Sequence, residues 1–492
     1  MKMKNYLTID LGATSGRAIV ATFDGERVAM REIARFENPM IPLGGHLFWD
    51  LPALYNNVLS ALRTVAAEGI KVESMAIDTW GCDFALFGKD GQLLSLPYCY
   101  RDGHTEGAME RLFERMPKEE VYRRTGIQFM EFNSLFQLDT LRRNNCTALE
   151  VADKILFTPD ALGYMLTGEA VMEYTVASTS QIVNAEQRDL DEGLLATIGL
   201  RREQFGRLVQ PGTVIGCLSE QVQKATGVGP IKVIAVAGHD TASAVVAVPA
   251  DTTDYAYLSC GTWSLLGVES PKPIISEQSY DLNFTNEGGT DKTIRFLKNI
   301  CGMWLFEQSR KAWSDAPKGV AELVALCETT SFDSVVDPDA HCFVHPDSMV
   351  EAIAEYCRKT NQAEPQSAAD YCRCIFRSLA LRYRQVVDML EEITPAKVSQ
   401  LNVIGGGSRN EYLMRYAASA LGRKVVAGPA ECTALGNALM QLRALGEVSS
   451  LADIRKISAA SCDTKVFEPT DTEAWQGEYE KFLKIQKIYN EQ

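Results

Sequence analysis

Asp10-Leu11-Gly12-Ala13-Thr14-Ser15-Gly16-Arg17 stands between two β-prone runs, residues 6–9 and 17–23. Read as a strand, a tight turn and a returning strand, it presents backbone N–H groups and hydroxyls of the kind that hold phosphate oxygens. About 250 residues later Ser259-Cys260-Gly261-Thr262-Trp263-Ser264 repeats the device between β-prone residues 255–259 and 263–269. A chain that builds such a hairpin twice suggests two similar lobes serving one nucleotide, and hence phosphoryl transfer. In the first hairpin Asp10 ends a strand, where a carboxylate can hold a hydrated Mg²⁺ through its waters. Gly12 and Gly16 let the backbone turn closely around an anion, Thr14 and Ser15 add hydroxyls, and Arg17 adds a fork suited to phosphate. An ordinary β-turn is the competing reading, because Gly, Ser, Thr and Asp populate turns in any case. The second hairpin tips the balance towards phosphate.

Outward from the first hairpin, Asp24-Gly25 reads as another turn and 28–36 as a third strand. A helix follows over 51–67, closed by Gly69, and then a strand over 72–78 that runs into Thr79-Trp80-Gly81. This order predicts a mixed sheet with helices on its faces. The second half repeats the theme, with a strand over 231–237, a helix over 241–248 and the strand pair around Gly261-Thr262. A long helix over 372–392 carries Ile375, Leu379, Tyr383, Val386 and Leu390 on one stripe. A strand over 401–404 opens into Gly405-Gly406-Gly407, and a helix over 411–421 stops at Gly422. The expectation is an α/β protein of two lobes, 1–248 and 249–492, joined near Pro249.

The totals narrow the function classes. The chain has 492 residues, 46% of them hydrophobic and 23% charged, enough for large cores without covalent staples. A net charge of −15 argues against a nucleic-acid partner, which usually calls for a basic footprint. Thirteen cysteines form no zinc-type pair of CxxC motifs, and Cys372-Arg373-Cys374 reads as buried, inert thiols on a helix. With no apolar leader and no uninterrupted apolar run of about 18 residues, the expectation is a cytoplasmic protein with no membrane partner.

Competing nucleotide motifs fail. Gly289-Thr290-Asp291-Lys292-Thr293 lacks the glycine that precedes the lysine of a phosphate-binding loop, and Gly405 to Asn410 has Asn where the dinucleotide fingerprint needs Gly or Ala. The three glycines suit close approach of adenine or ribose to the backbone, although strand-to-helix junctions are often glycine-rich. Gly238-His239-Asp240-Thr241 is the sharpest catalytic candidate, delivered by a strand to a helix N-terminus. A carboxylate there could take the proton of an attacking hydroxyl. It could equally cap the helix, and the residues alone favour the cap. Thr79-Trp80-Gly81-Cys82-Asp83 and Tyr100-Arg101-Asp102 mix aromatic and polar groups as a sugar site needs. Each also fits turn chemistry beside a core aromatic.

Taken together, several stretches resemble the FGGY carbohydrate kinases of the actin and hexokinase superfamily. They are Asp10 to Arg17, Ile77 to Gly81 with Asp83-Phe84, Tyr100-Arg101-Asp102, Gly126-Ile127-Gln128-Phe129, His239 to Ala244, Ser259 to Ser264 and Leu297-Lys298-Asn299-Ile300, and the likeness covers residues 4–465. The resemblance implies two ribonuclease-H-like lobes of the actin/hexokinase type, with ATP and sugar meeting in an interlobe cleft. By that likeness Asp240 is the general base, reversing the cap-first reading. Ala13, Thr14, Ser15, Gly16, Arg17, Gly261 and Thr262 would meet the phosphates of ATP, with Asp10 holding Mg²⁺ through water. Gly405, Gly406 and Gly407 would meet the adenosine, and Gly81, His239, Thr241 and Asn299 a ketose. The implied reaction transfers the γ-phosphoryl of MgATP to O1 of L-rhamnulose, in a monomer or homodimer. L-fuculose is the alternative sugar, and an actin- or heat-shock-like ATPase is the alternative class. Two places depart from the family pattern. Glu307 stands where glutamine is expected, and Leu379-Ala380 lacks an acidic-glycine pair found in many members.

Overall fold

The structure is a computed structural model that describes residues 3–491 except 314, 315, 318, 345 and 396. The chain forms two compact units. The first comprises Met1–Pro249, Glu269–Phe296 and Cys432–Ser461; the second comprises Ala250–Val268, Leu297–Glu431 and Cys462–Gln492.

In the first unit β1 (Lys4–Leu11) turns into β2 (Ser15–Phe23), and β3 (Val28–Glu37) follows as the third strand of the meander. Residues 6–11 of β1 are all buried, as a central strand requires, whereas β3 alternates and exposes Arg31, Glu32 and Arg35 at the sheet edge. Helix α1 (Leu51–Ala67) starts where the Asp50 side chain accepts the Ala53 N–H at 2.9 Å. It buries Leu51, Leu54, Val58, Ala61, Leu62 and Val65 on one stripe. The remaining strands are β4 (Val72–Thr79), β5 (Thr213–Cys217) and β6 (Lys232–Ala235). The sheet order is β5-β6-β4-β1-β2-β3. β6, β4 and β1 run parallel, and β5 and β2 antiparallel to their neighbours. α2 (Asp240–Val246) leaves shortly after β6.

The second unit uses β7 (Tyr255–Cys260), β8 (Trp263–Ser270), β9 (Ile294–Cys301), β10 (Gln400–Ile404), β11 (Lys424–Ala427) and β12 (Lys465–Phe467). Their order is β12-β11-β10-β7-β8-β9, repeating the six roles of the first sheet, and Thr285–Gly288 adds a seventh strand beyond β9. β11, β10 and β7 are parallel, and β12 and β8 are antiparallel to their neighbours. Two ribonuclease-H-like sheets are therefore present, as the paired hairpins led us to expect. Helix α3 (Ala368–Ile393) buries the expected stripe completely. Its Cys372 and Cys374 leave in different directions, towards Cys327 and Cys357 respectively. α4 (Glu411–Leu421) ends at Gly422 in the left-handed region.

The compact units depart from two contiguous halves divided at 248/249. The chain does leave the first unit at Pro249, but Glu269–Phe296 and Cys432–Ser461 fold back into it. Helix α5 (Cys432–Ala444) shows why. Residues 434–442 are buried on every side, polar ones included. Its Asn437 and Gln441 find partners in the first sheet, where Asn437 donates to Asp78 at 2.6 Å and Gln441 to the Leu7 carbonyl at 3.1 Å. Buried amides need such partners, and these lie some 360 residues or more away in sequence.

Candidate active site

Parallel strands β1, β4 and β6 open their C-terminal ends on one edge of the first sheet, where ligands of such sheets bind. Asp10 stands in register beside Asp78, and Thr79 bridges to His239 with its N–H on the Gly238 carbonyl at 2.9 Å. Asp10, Asp78, His239 and Asp240 are thus brought to one edge.

The hairpin above them closes with the Gly12 N–H on the Ser15 carbonyl at 2.9 Å. Asn38 follows β3 and ties down the turn's carbonyls, its amide donating to Gly12 O at 3.1 Å and its N–H to Thr14 O at 3.0 Å. Ala13, Thr14 and Ser15 remain accessible at the tip. Gly16 is buried, and a Cβ there would run into the Phe36 ring, so this glycine serves packing. Arg17 pairs with Asp10 at 2.5 Å. The guanidinium expected to fork phosphate and the carboxylate expected to hold a hydrated cation therefore neutralise each other in this structure.

Asp78 is fully buried, and its Oδ1 has no hydrogen-bond partner among the described residues. Burial pushes its carboxyl well above the usual range. The charge of Asp10 adds to the shift and so does that of Asp240, while the Asn437 hydrogen bond opposes it.

Asp240 is the first residue of α2. His239 occupies the N-cap position without a side-chain cap bond. Asp240 Oδ1 accepts the Thr241 N–H at 2.5 Å and the Thr241 hydroxyl at 3.1 Å; its other oxygen has no hydrogen-bond partner among the described residues. The side chain is 31% exposed. It therefore braces its own first turn with one oxygen and leaves the second available, rather than capping the helix as the residues alone favoured.

Behind this turn lies a buried layer that sequence reading missed. Glu173 accepts the Gly238 N–H at 2.9 Å and the Thr175 hydroxyl at 2.6 Å, and Thr175 Oγ1 accepts the His239 N–H at 3.3 Å. Burial, with opposition from these hydrogen bonds, raises the Glu173 carboxyl above its ordinary value. Arg295 and Glu287 form an ion pair at 2.9 Å beside the His239 ring. No local motif marks any of these residues.

Gly81 packs on Thr179, whose hydroxyl accepts the Cys82 N–H at 3.1 Å. The aromatic cluster beside it is core. Trp80 is 5% exposed, and the indole N–H groups of Trp49 and Trp80 both donate to Asp83, at 2.6 and 2.9 Å. Burial lifts the Asp83 carboxyl to about 6 against the pull of four hydrogen bonds, from Gln137, Trp49, Trp80 and the Tyr100 N–H.

In the second unit the Gly261 N–H donates to the Trp263 carbonyl at 2.9 Å, closing a turn that exposes Gly261 and Thr262. The turn's carbonyls are held from behind by the N–H groups of Met303 at 3.0 Å and Trp304 at 3.2 Å. β7 pairs with β10, Ser259 beside Ile404, so Gly405-Gly406-Gly407 follows at the same sheet edge. Gly407 lies directly on Cys260, leaving no room for a Cβ, whereas Gly406 has open space around it. Thr262 and the glycine stretch are thus neighbours across one strand pair. Asn299 sits on β9, half-buried. Glu307 pairs with Arg310 at 2.8 Å.

Profiles of the FGGY family of carbohydrate kinases match the chain twice, the N-terminal domain over residues 5–247 and the C-terminal domain over 256–445. The chain belongs to the FGGY family of carbohydrate kinases. Among curated relatives, the rhamnulokinase of Bacteroides thetaiotaomicron is 53% identical over 480 residues, covering 97% of this chain and 99% of that protein. The rhamnulokinase of Oceanobacillus iheyensis is 40% identical over 457 residues, 93% of this chain and 97% of the relative. Of solved structures, the gluconate kinase from Lactobacillus acidophilus superimposes with a TM-score of 0.83 at 16% identity, covering 99% of this chain and 98% of its own. The FGGY chain described here is thus a sugar kinase with the two-domain fold of that family. No helix among its described residues is long and apolar enough to cross a membrane.

Proposed function

We propose that the chain transfers the γ-phosphoryl group of MgATP to O1 of L-rhamnulose in L-rhamnose breakdown, with Asp240 as the general base. The observation that carries the mechanism is the Asp240 carboxylate, partly exposed at the ligand edge of the sheet with one oxygen unengaged. As O1 attacks the γ-phosphorus, its proton passes to Asp240 and the bond from phosphorus to the bridging oxygen of ADP breaks. Support for the sugar is the shared name of relatives 40–53% identical over nearly the whole chain. His239, Thr241 and Gly81 would orient the ketose in the first unit and Asn299 in the second.

Phosphates would meet the N–H groups and hydroxyls of Ala13 to Arg17 in the first unit and of Gly261-Thr262 in the second, with adenosine on Gly405 to Gly407. Among the described residues no three carboxylate, imidazole or thiol groups converge closely enough to hold a metal directly. A Mg²⁺ arriving with ATP would therefore keep most of its waters, as that ion commonly does, with Asp10 reaching it through one of them. All thirteen cysteines are free thiols, which favours a reducing compartment such as the cytoplasm.

Initial rates with MgATP on L-rhamnulose, L-fuculose and L-xylulose, measured side by side, test the assignment. The highest kcat/KM should fall on L-rhamnulose, with the phosphate on O1. A preference for L-fuculose would reassign the substrate within the same chemistry, and ATP hydrolysis indifferent to all three would remove the proposal.

A further inference from the structure

The His239 ring has a charged neighbour at each nitrogen. Nε2 lies 3.4 Å from Asp240 Oδ1. Nδ1 meets Arg295 Nη2 at 3.1 Å and Glu287 Oε2 at 3.3 Å. The Arg295 side chain is 1% exposed; its Nε donates to the Gly288 carbonyl at 2.9 Å and its Nη2 to Glu287 at 2.9 Å. Its Nη1 is buried with no hydrogen-bond partner among the described residues. The His239 backbone is pinned as well, its N–H on Thr175 and its carbonyl on the Ser243 N–H at 3.0 Å.

We propose that Arg295, held in place by Glu287, fixes His239 as the neutral ring with its proton on Nε2, making it a hydrogen-bond donor to the ketose and barring it from acting as a base. A guanidinium has no acceptor, so the contact at 3.1 Å is a hydrogen bond only when Nδ1 offers a lone pair. With a proton on Nδ1 the ring would turn instead to the more distant Glu287 oxygen. Two hydrogens would then face each other, and a guanidinium already missing one partner would lose another in a buried site. Against burial, the charge of Arg295, followed by the His239 contact, holds the Glu287 carboxyl below its ordinary value. Arg295 is also the closer partner of Glu287, at 2.9 Å against 3.3 Å for His239.

The remaining proton on Nε2 faces Asp240 across 3.4 Å, longer than a normal N–H···O bond. It is therefore available to a sugar oxygen placed beside them. With Nδ1 occupied by Arg295, His239 cannot compete with Asp240 for the substrate proton. Arg295 acts through His239 and is a positioning residue. The tautomer is argued from these contacts and does not need the proposed function; the effect on the sugar rests on the function proposed above.

The test is long-range proton–nitrogen NMR on the full chain labelled at its five histidines, with His239 assigned from the His239→Gln spectrum. The expected result is an unprotonated Nδ1 and a protonated Nε2. A proton on Nδ1 overturns the proposal. The paired substitution Glu287→Gln with Arg295→Met removes the ion pair without stranding a charge. It should mix the tautomers and raise KM for the ketose about tenfold, the loss of roughly one oriented hydrogen bond, with KM for ATP unchanged. In the His239→Gln background the same pair should add nothing. Equal losses in both backgrounds, or a parallel rise in both KM values, would show a merely structural role and sink the proposal. If the paired variant does not fold, the spectrum of the unaltered chain decides. The expected tautomer in a chain that phosphorylates no ketose would leave this inference standing and remove the proposed function instead.

Discussion

At the end of its first strand the first unit carries Asp10, in register with Asp78, while the second unit carries Ser259, in register with Ile404. The strand order around these positions is the same. Beyond them the first unit adds Arg17, His239 and Asp240, and the second adds Gly261, Thr262 and three consecutive glycines. One architecture is therefore used in two ways. The first edge concentrates titratable groups, and at Asp78 the charges of Asp10 and Asp240 add to the upward push of burial. The second edge presents exposed backbone at Gly261, Thr262 and Gly406. Repulsion between carboxylates suits a site that moves a proton and neutralises a cation, and uncharged N–H groups suit a surface that holds a polyanion and a flat ring.

The comparison can be broken at its strongest point first. Asp240→Asn should lower turnover by on the order of 10²–10⁴, the range for a general base, with little change in KM for ATP. Steady-state rates with each substrate varied would check this. Near-normal turnover with a lowered melting temperature would assign the residue to bracing α2 instead.

In the second unit the packing of the glycine stretch separates its members. Gly407→Ala must displace Cys260 and should cost about 1–3 kcal/mol, the usual penalty of overpacking, with a raised KM for ATP. Gly406→Ala, with open space around it, should leave stability unchanged. Adding Cys260→Ala to Gly407→Ala should recover only part of the loss in a denaturant melt, because the Cβ and carbonyl oxygen of residue 260 still lie 2.9 Å from the new methyl. No recovery at all would place the strain wholly in that backbone contact.

Thr262→Ala should weaken ATP binding about fivefold to tenfold, as loss of one hydrogen bond of about 1 kcal/mol implies, and spare the ketose. Calorimetry giving the reverse order would move this loop from nucleotide to sugar.

The smallest effect concerns Asp83. Burial raises its pKa from 3.8 to about 6 in the folded chain, so the folded state binds the extra proton between those values. Its contribution to stability is then greatest below about pH 4 and declines as pH rises to about 6. Because Trp49 and Trp80 donate to this carboxylate, the near-ultraviolet tryptophan signal should step with a midpoint near pH 6. A flat signal through that range would show Asp83 ionised throughout.

The local grammar of this chain was legible from its residues alone. α1 and α4 run over the expected 51–67 and 411–421, and both Gly/Thr hairpins close where their turn residues stand. Helix caps, turns and apolar stripes depend on residues a few positions apart, so sequence suffices for them. What only tertiary structure decided is how buried polar groups are satisfied. Asn437 reaches Asp78, Glu173 reaches the backbone before Asp240, and Arg295 reaches His239, across 359, 65 and 56 residues respectively. Trp80, read as a possible sugar platform, instead spends its N–H on Asp83 inside the core. A buried donor or acceptor must have a partner but does not specify which one, and only the folded chain brings that partner within hydrogen-bond reach.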